Sequence, residues 1–297
     1  MATDPVIELI RGMETLNLND LETYLRIEED GLGLPDVRRM TERGPYQHGD
    51  TDLDFRLEPR MINLVCGVFG GDIAGYWAAR RTLQRLLRPS GAPLQLRYTL
   101  PTGDMRQIDV VYAGGLTWSS EDRLVTAHRV GFQLRAADPT FYDPAIISTR
   151  YGVGGGGGTW AIPWAIPWQI GSATVNQTQG ITTPGDWESY PTILVYGPIH
   201  NLMITNDATG ETLDFTGYNV SAGSTLTIDT RYGIKSVFDN TGASQIHRLS
   251  DASDLATFHL VAHPDADQGI NPIRVTGSNA TSATEIYIQF QARYSAL

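Results

Sequence analysis

The sequence predicts a mainly β protein, with an α+β first half and an all-β sandwich as its second half. Three observations predict it. A sustained helical period of apolar residues runs through one segment only, residues 73–88. The second half has no helix-period stretch longer than about two turns. Its apolar runs are short, and clusters of Asp, Asn, Ser and Gly separate them at the spacing of a sandwich.

Taken in order, residues 21–29 alternate loosely and stop at the turn signal Asp30-Gly31. RMINLVCGVF, residues 60–69, reads as a buried strand closed by Gly70-Gly71. Asp72 then offers a carboxylate to the free N–H groups opening the helix IAGYWAARRTLQRLLR. Ile73, Tyr76, Trp77, Leu83, Leu86 and Leu87 fall on one apolar face. Arg85 and Arg88 complement the negative end of the helix dipole, and Pro89 stops the helix. Strands follow at 94–100, 105–112 and 125–134, the first two joined by the turn Pro101-Thr102-Gly103-Asp104. In the second half, strands are predicted at 192–196, 203–206, 225–230, 234–238 and 258–262. The last run alternates Ile286, Ile288, Phe290 and Ala292 with polar residues.

Residues 1–147 and 191–297 are thus expected as two domains, with 148–190 connecting them. That connection contains GVGGGGG, too permissive to hold one conformation alone, followed by a tandem AIPW repeat. Trp160, Trp164 and Trp168 recur every four residues, but Pro163 and Pro167 forbid a regular helix. The segment is expected to be extended, with its tryptophans packed on their own domain or docked on a neighbouring subunit.

Composition narrows the function. The chain has 297 residues, is 41% hydrophobic and 19% charged, and carries a net charge of −11, values of a globular and not a disordered protein. Its start lacks the basic and apolar regions of a signal peptide, and no apolar run is long enough to span a bilayer. A single cysteine, Cys66, excludes internal disulfides and reads as inert core. Neither half has the basic excess of a nucleic-acid binder, and the one lysine, Lys235, belongs to no phosphate-binding GK[ST] motif.

Candidate chemistry fails on context. Gly152, Gly154 and Gly157 satisfy GxGxxG, but Pro163 follows where a dinucleotide site needs a helix. Asp50, Asp52 and Asp54 begin like a calcium loop, yet Phe55 and Met61 occupy its glycine and glutamate positions. They read better as the exposed face of a strand. His259 and His263 are four apart, but on a predicted strand running into Pro264. No GxSxG elbow is present. No catalytic residue, cofactor or metal is expected.

The order of segments carries more. GLGLPDVRRMTERGPYQHGDTDLDFRLEPRMINL, LQLRYTLPTGDMRQIDVVYAGGL and GFQLRAADPTFYDP resemble the first half of siphophage distal tail proteins. YPTILVYGPIHNLMITNDATGETLDFTG and IDTRYGIKSV resemble their C-terminal module. The resemblance implies a belt domain, a β-sandwich carrying a helix, followed by a galectin-like β-sandwich. It implies a structural virion protein at the tail tip, synthesised in the host bacterial cytoplasm. Six copies would form a ring between the tail tube protein and the tail-tip hub or tail-associated protein, with DNA passing unread through the lumen and no membrane insertion. An acidic chain suits such a lumen, because positive charge would hold the phosphates.

Arg39 and Arg43, interleaved with Asp50, Asp52 and Asp54, are candidate intersubunit contacts; a solvated strand face explains them equally well. Trp160, Trp164 and Trp168 are further candidates. The alternative function is a carbohydrate-binding module aiding host adsorption, motivated by the sandwich and its aromatic residues. Against it, Trp187 and Tyr190 show no polar constellation beside them in sequence.

Overall fold

The computed structural model describes residues 4–118, 124–152 and 173–297. The chain forms two compact units, Met1–Pro144 with Tyr294–Leu297, and Ala145–Arg293. The mainly β prediction holds in both.

The first unit contains β1 (Val6–Arg11), β2 (Glu14–Asn17), β3 (Tyr24–Asp30), β4 (Val37–Glu42), β5 (Thr51–Leu57), β6 (Arg60–Phe69), α1 (Ile73–Leu87), β7 (Leu94–Thr99), β8 (Met105–Gly114), β9 (Ala127–Ala136) and β10 (Phe141–Tyr142). Seven strands run in the order β2-β1-β7-β8-β9-β6-β3, each antiparallel to its neighbour. Strand β8 changes partner along its length: Met105 to Val110 pair with β7, and Val111 to Gly114 with β9. Ile62, Leu64, Cys66 and Val68 alternate inward from β6 into one apolar core with Leu83, Leu86 and Leu87 of α1.

Asp72 caps α1 as read, accepting from the Gly75 amide at 2.7 Å. The buried stripe is narrower than predicted. Tyr76, Ala79, Leu83, Leu86 and Leu87 are buried, whereas Ile73 is exposed and Trp77 half-buried. Ile73 opens the helix beyond the edge of the core, so periodicity overstated the face. Cys66 is buried, and that burial pushes its thiol up to about 12.

The second unit contains β11 (Ile147–Gly152), β12 (Ala173–Thr182), β13 (Thr192–Tyr196), β14 (Ile199–Asn206), β15 (Thr212–Val220), β16 (Thr225–Asp229), β17 (Ser236–Asp239), β18 (Ile270–Ala280) and β19 (Glu285–Phe290). Two sheets, β11-β19-β13-β16-β17 and β12-β18-β14-β15, contribute their inner residues to one core. Ile193, Val195, Leu226 and Ile288 come from the first sheet, and Ile204, Phe215, Ile273 and Val275 from the second.

Three readings need correction. Strands β11 and β12 lie in the stretch read as a connection. Residues 258–262 are buried but form no strand, beyond a single bridge from Leu260 to Ser189. The reason is the fully buried Asn271, whose amide accepts from Val261 N and donates to Val261 O, replacing a ladder partner. Strand β18 escaped notice because it contains Pro272. That proline lies just past the last β14 pair, Asn206 with Ile273, where no amide is needed.

Candidate functional site

Strands β4 and β5 form a two-stranded ribbon of their own, and no third strand among the described residues joins it. Almost every residue of it is exposed. Cross-strand register places Val37 opposite Leu57 and Arg39 opposite Phe55, so these four share a face. Arg38, Arg56, Met40 and Asp54 share the other. A bulge between Met40 and Thr41 leaves Leu53 as an extra residue, 62% exposed. The ribbon is therefore amphipathic, with Val37, Leu53 and Phe55 open to solvent on a protein that has ample core elsewhere.

Such a ribbon is marginal in water by itself, and local bonds hold its shape. At its tip, the Gln47 side chain accepts from Gly44 N and donates to Thr51 Oγ1, beside fully exposed Tyr46. At its base, Glu58 N donates to Asp36 O at 2.8 Å. Below that, buried Arg60 donates through Nε to Pro139 O at 2.7 Å and through Nη2 to Ser295 O at 2.7 Å. Its Nη1 reaches Gly31 O at 2.8 Å and Gly33 O at 2.5 Å, while its guanidinium lies over Phe141. One side chain thus fastens the root of the ribbon, the strand β9–β10 connection and the C-terminal residues. Gly31 is required at the root: its φ is +86°, and a Cβ there would stand 2.0 Å from Met61 O.

Both arginines singled out from the sequence lie on this ribbon. Arg39 pairs with Asp52 at 3.6 Å and Arg43 with Asp50 at 3.9 Å, all four well exposed and within the same hairpin. Asp50, Asp52 and Asp54 are accordingly solvent-exposed residues at or on β5. Trp160, Trp164 and Trp168 lie outside the described residues, as do Gly154 and Gly157; Gly152 ends β11.

A second cluster, in the second unit, was not legible from spacing. Around Tyr190 gather loop residues that the sequence holds far apart. The Tyr190 hydroxyl donates to Glu188 at 2.9 Å, and Lys235 Nζ lies 4.8 Å from the ring centre. Tyr232 and His259 rings stand 6.3 Å away, and Arg293 lies over the same ring. The His259 Nδ1 faces Thr257 O at 2.8 Å and Glu211 Oε2 at 3.1 Å, two acceptors, so this nitrogen carries a hydrogen. Burial opposes charge on His259, but the bonds to Glu211 and Thr257 outweigh it and raise its pKa. Burial likewise opposes charge on Glu211, and the bonds from His259 lower its pKa on balance. A polar constellation therefore does stand beside Tyr190. Opposite charges meet within it, and it works as a latch between loops. His263, four residues on, follows His259 in a segment that is neither helix nor strand, and no group of three or more His, Cys, Asp or Glu placed to hold a metal ion occurs among the described residues.

No helix among the described residues is long and apolar enough to cross a membrane. No protein-family model matches the chain, and no curated protein matches it by sequence. Solved structures do. A chain of the phage P2 baseplate, in its activated conformation with Ca, aligns with a TM-score of 0.52 at 9% identity, over 97% of this chain and 98% of that one. The Dit protein of phage SPP1, described as a paradigm of the hub adsorption apparatus in phages infecting Gram-positive bacteria, aligns with a TM-score of 0.61 at 15% identity, over 97% of this chain and 99% of that one. This chain has the fold of those phage tail-hub proteins over nearly its whole length.

Proposed function

We propose that the chain is a non-enzymatic structural protein of a phage tail, a distal tail protein that assembles as a six-membered ring between tail tube and tail-tip hub and leaves a channel for DNA. The observation that carries this reading beyond the shared fold is the amphipathic β4–β5 ribbon. An exposed apolar face held out on a braced stalk suits a protein that completes its packing with neighbours. The acidic balance of the chain, −11, suits a lumen that phosphates must slide through.

Antibodies against the chain, applied to intact particles and viewed by electron microscopy, should mark the tail end remote from the capsid. Labelling of the capsid, or along the whole tail, would contradict the assignment.

A further inference from the structure

We propose that the outer face of the five-stranded sheet in the second unit is a binding platform for an uncharged polysaccharide chain. The proposal rests on that unit alone and is independent of the ring reading. Cross-strand register builds the platform in two adjacent rows. One row runs Arg150, Tyr287, Leu194, Thr227 and Phe238 across β11, β19, β13, β16 and β17. The next runs Gly152, Glu285, Tyr196 and Thr225 across the first four of these strands. The alternate residues, among them Ile193, Val195, Leu226 and Val237, point the other way into the core.

The water-facing side of an antiparallel sheet is ordinarily polar. This one carries three aromatic rings. Tyr196 and Phe238 are 39% and 42% exposed, and Tyr287 is half-buried. The Tyr196 and Tyr287 rings meet edge to face, with centroids 5.9 Å apart, so each steadies the other. Phe238 stands three strands from Tyr287, roughly 14 Å by strand spacing. Only Leu194 and Thr227 lie between them in the row, so the rings border a shallow floor. At the β11 end, Arg150 pairs with Glu285, and the Tyr287 hydroxyl donates to Glu285 Oε2 at 2.8 Å. Gly152 presents no side chain there, and Arg150 Nη2 lies 3.8 Å from where its Cβ would stand.

The chemistry of the face selects its occupant. Arg150 and Glu285 are the only charged residues in the two rows, and they neutralise one another on a chain of net charge −11. A polyanion would meet one guanidinium already paired and be repelled by the rest of the chain. A purely apolar partner would strip water from Thr225, Thr227 and the Arg150–Glu285 pair without replacing those bonds. A pyranose chain meets both demands. Its C–H faces lie against aromatic rings, whose π faces are negative. Its hydroxyls, each both donor and acceptor, exchange bonds with the carboxylate, the guanidinium and the threonine hydroxyls. Glu285 and the two tyrosine rings are held before a ligand arrives, so little ordering entropy is lost on binding.

The test probes an array of neutral glycans with the full chain and then titrates the best-bound glycan by calorimetry. Tyr196→Ala and Phe238→Ala each remove an exposed ring, and thermal melting checks that both variants stay folded. Each should bind more weakly by about tenfold or more. Phe238→Tyr keeps a ring and should bind as the unaltered chain does. Thr178→Ala, exposed on the other sheet of the sandwich, should also bind as the unaltered chain does. Retention of no neutral glycan on the array would overturn the proposal. So would a bound glycan whose affinity both alanine variants leave unchanged, since its site would then lie elsewhere. Binding confined to an anionic polymer, probed with poly(glycerol phosphate), would overturn it as well.

Discussion

At the scale of residues, two side chains carry unusual weight. Arg60 satisfies four backbone carbonyls from three chain segments with one planar fork. Arg60→Met would leave those carbonyls without a donor and should destabilise the first unit by roughly 3 kcal/mol, read as a fall in the denaturation midpoint. Arg60→Lys should recover little, because an ammonium keeps the charge without the fork. His259 tests the other unit. Its pKa is raised above the ordinary 6.5 in the folded protein, so its contribution is complete below that value and is lost as pH rises through the folded pKa. Glu211 is lowered below the ordinary 4.5, so its contribution is present above that value and is lost on acidification. The pair is thus strongest between the two, and His259→Gln should remove most of the stability difference between pH 6 and pH 8 measured by chemical denaturation. An unchanged slope would show that the latch does not titrate as drawn.

At the scale of elements, the ribbon is separable from the fold that holds it. None of residues 33–58 belongs to the first unit's apolar core. Replacing 36–57 by a short Gly-Ser turn should therefore leave thermal melting of the first unit nearly unchanged while abolishing assembly. A large loss of stability would mean that the ribbon supports its own subunit. Much of the fold was legible where one physical signal dominated. Strand β6 and helix α1 showed themselves through buried alternation, a cap and a proline stop. Strands β4 and β5 showed only in part, because a ribbon exposed on both faces has no one-sided burial to impose alternation: the alternating Asp50, Asp52 and Asp54 marked an exposed strand face where β5 stands, but nothing marked its pairing with β4. The segment 258–262 misled for the opposite reason: its apolar run is buried, but Asn271, distant in sequence, decides its backbone partners. The Tyr190 cluster escaped for the same cause, since Glu188, Glu211, Lys235 and His259 come from four loops that only the folded sandwich brings together.

At the scale of the whole molecule, the chain makes two crossings between its units, at 144/145 and at 293/294. The second unit is therefore inserted into the first, and Leu297 N donates to Leu32 O near the ribbon root. Assembly through the first unit would carry the second as an attached module, free to differ in what it meets. The measurement that tests this account most directly is the solution mass of the purified full chain across a wide concentration range, with negative-stain images of the same samples. The account expects a hexamer seen as rings with an open centre. A monomer at every concentration, with no rings in the images, would contradict the proposed ring.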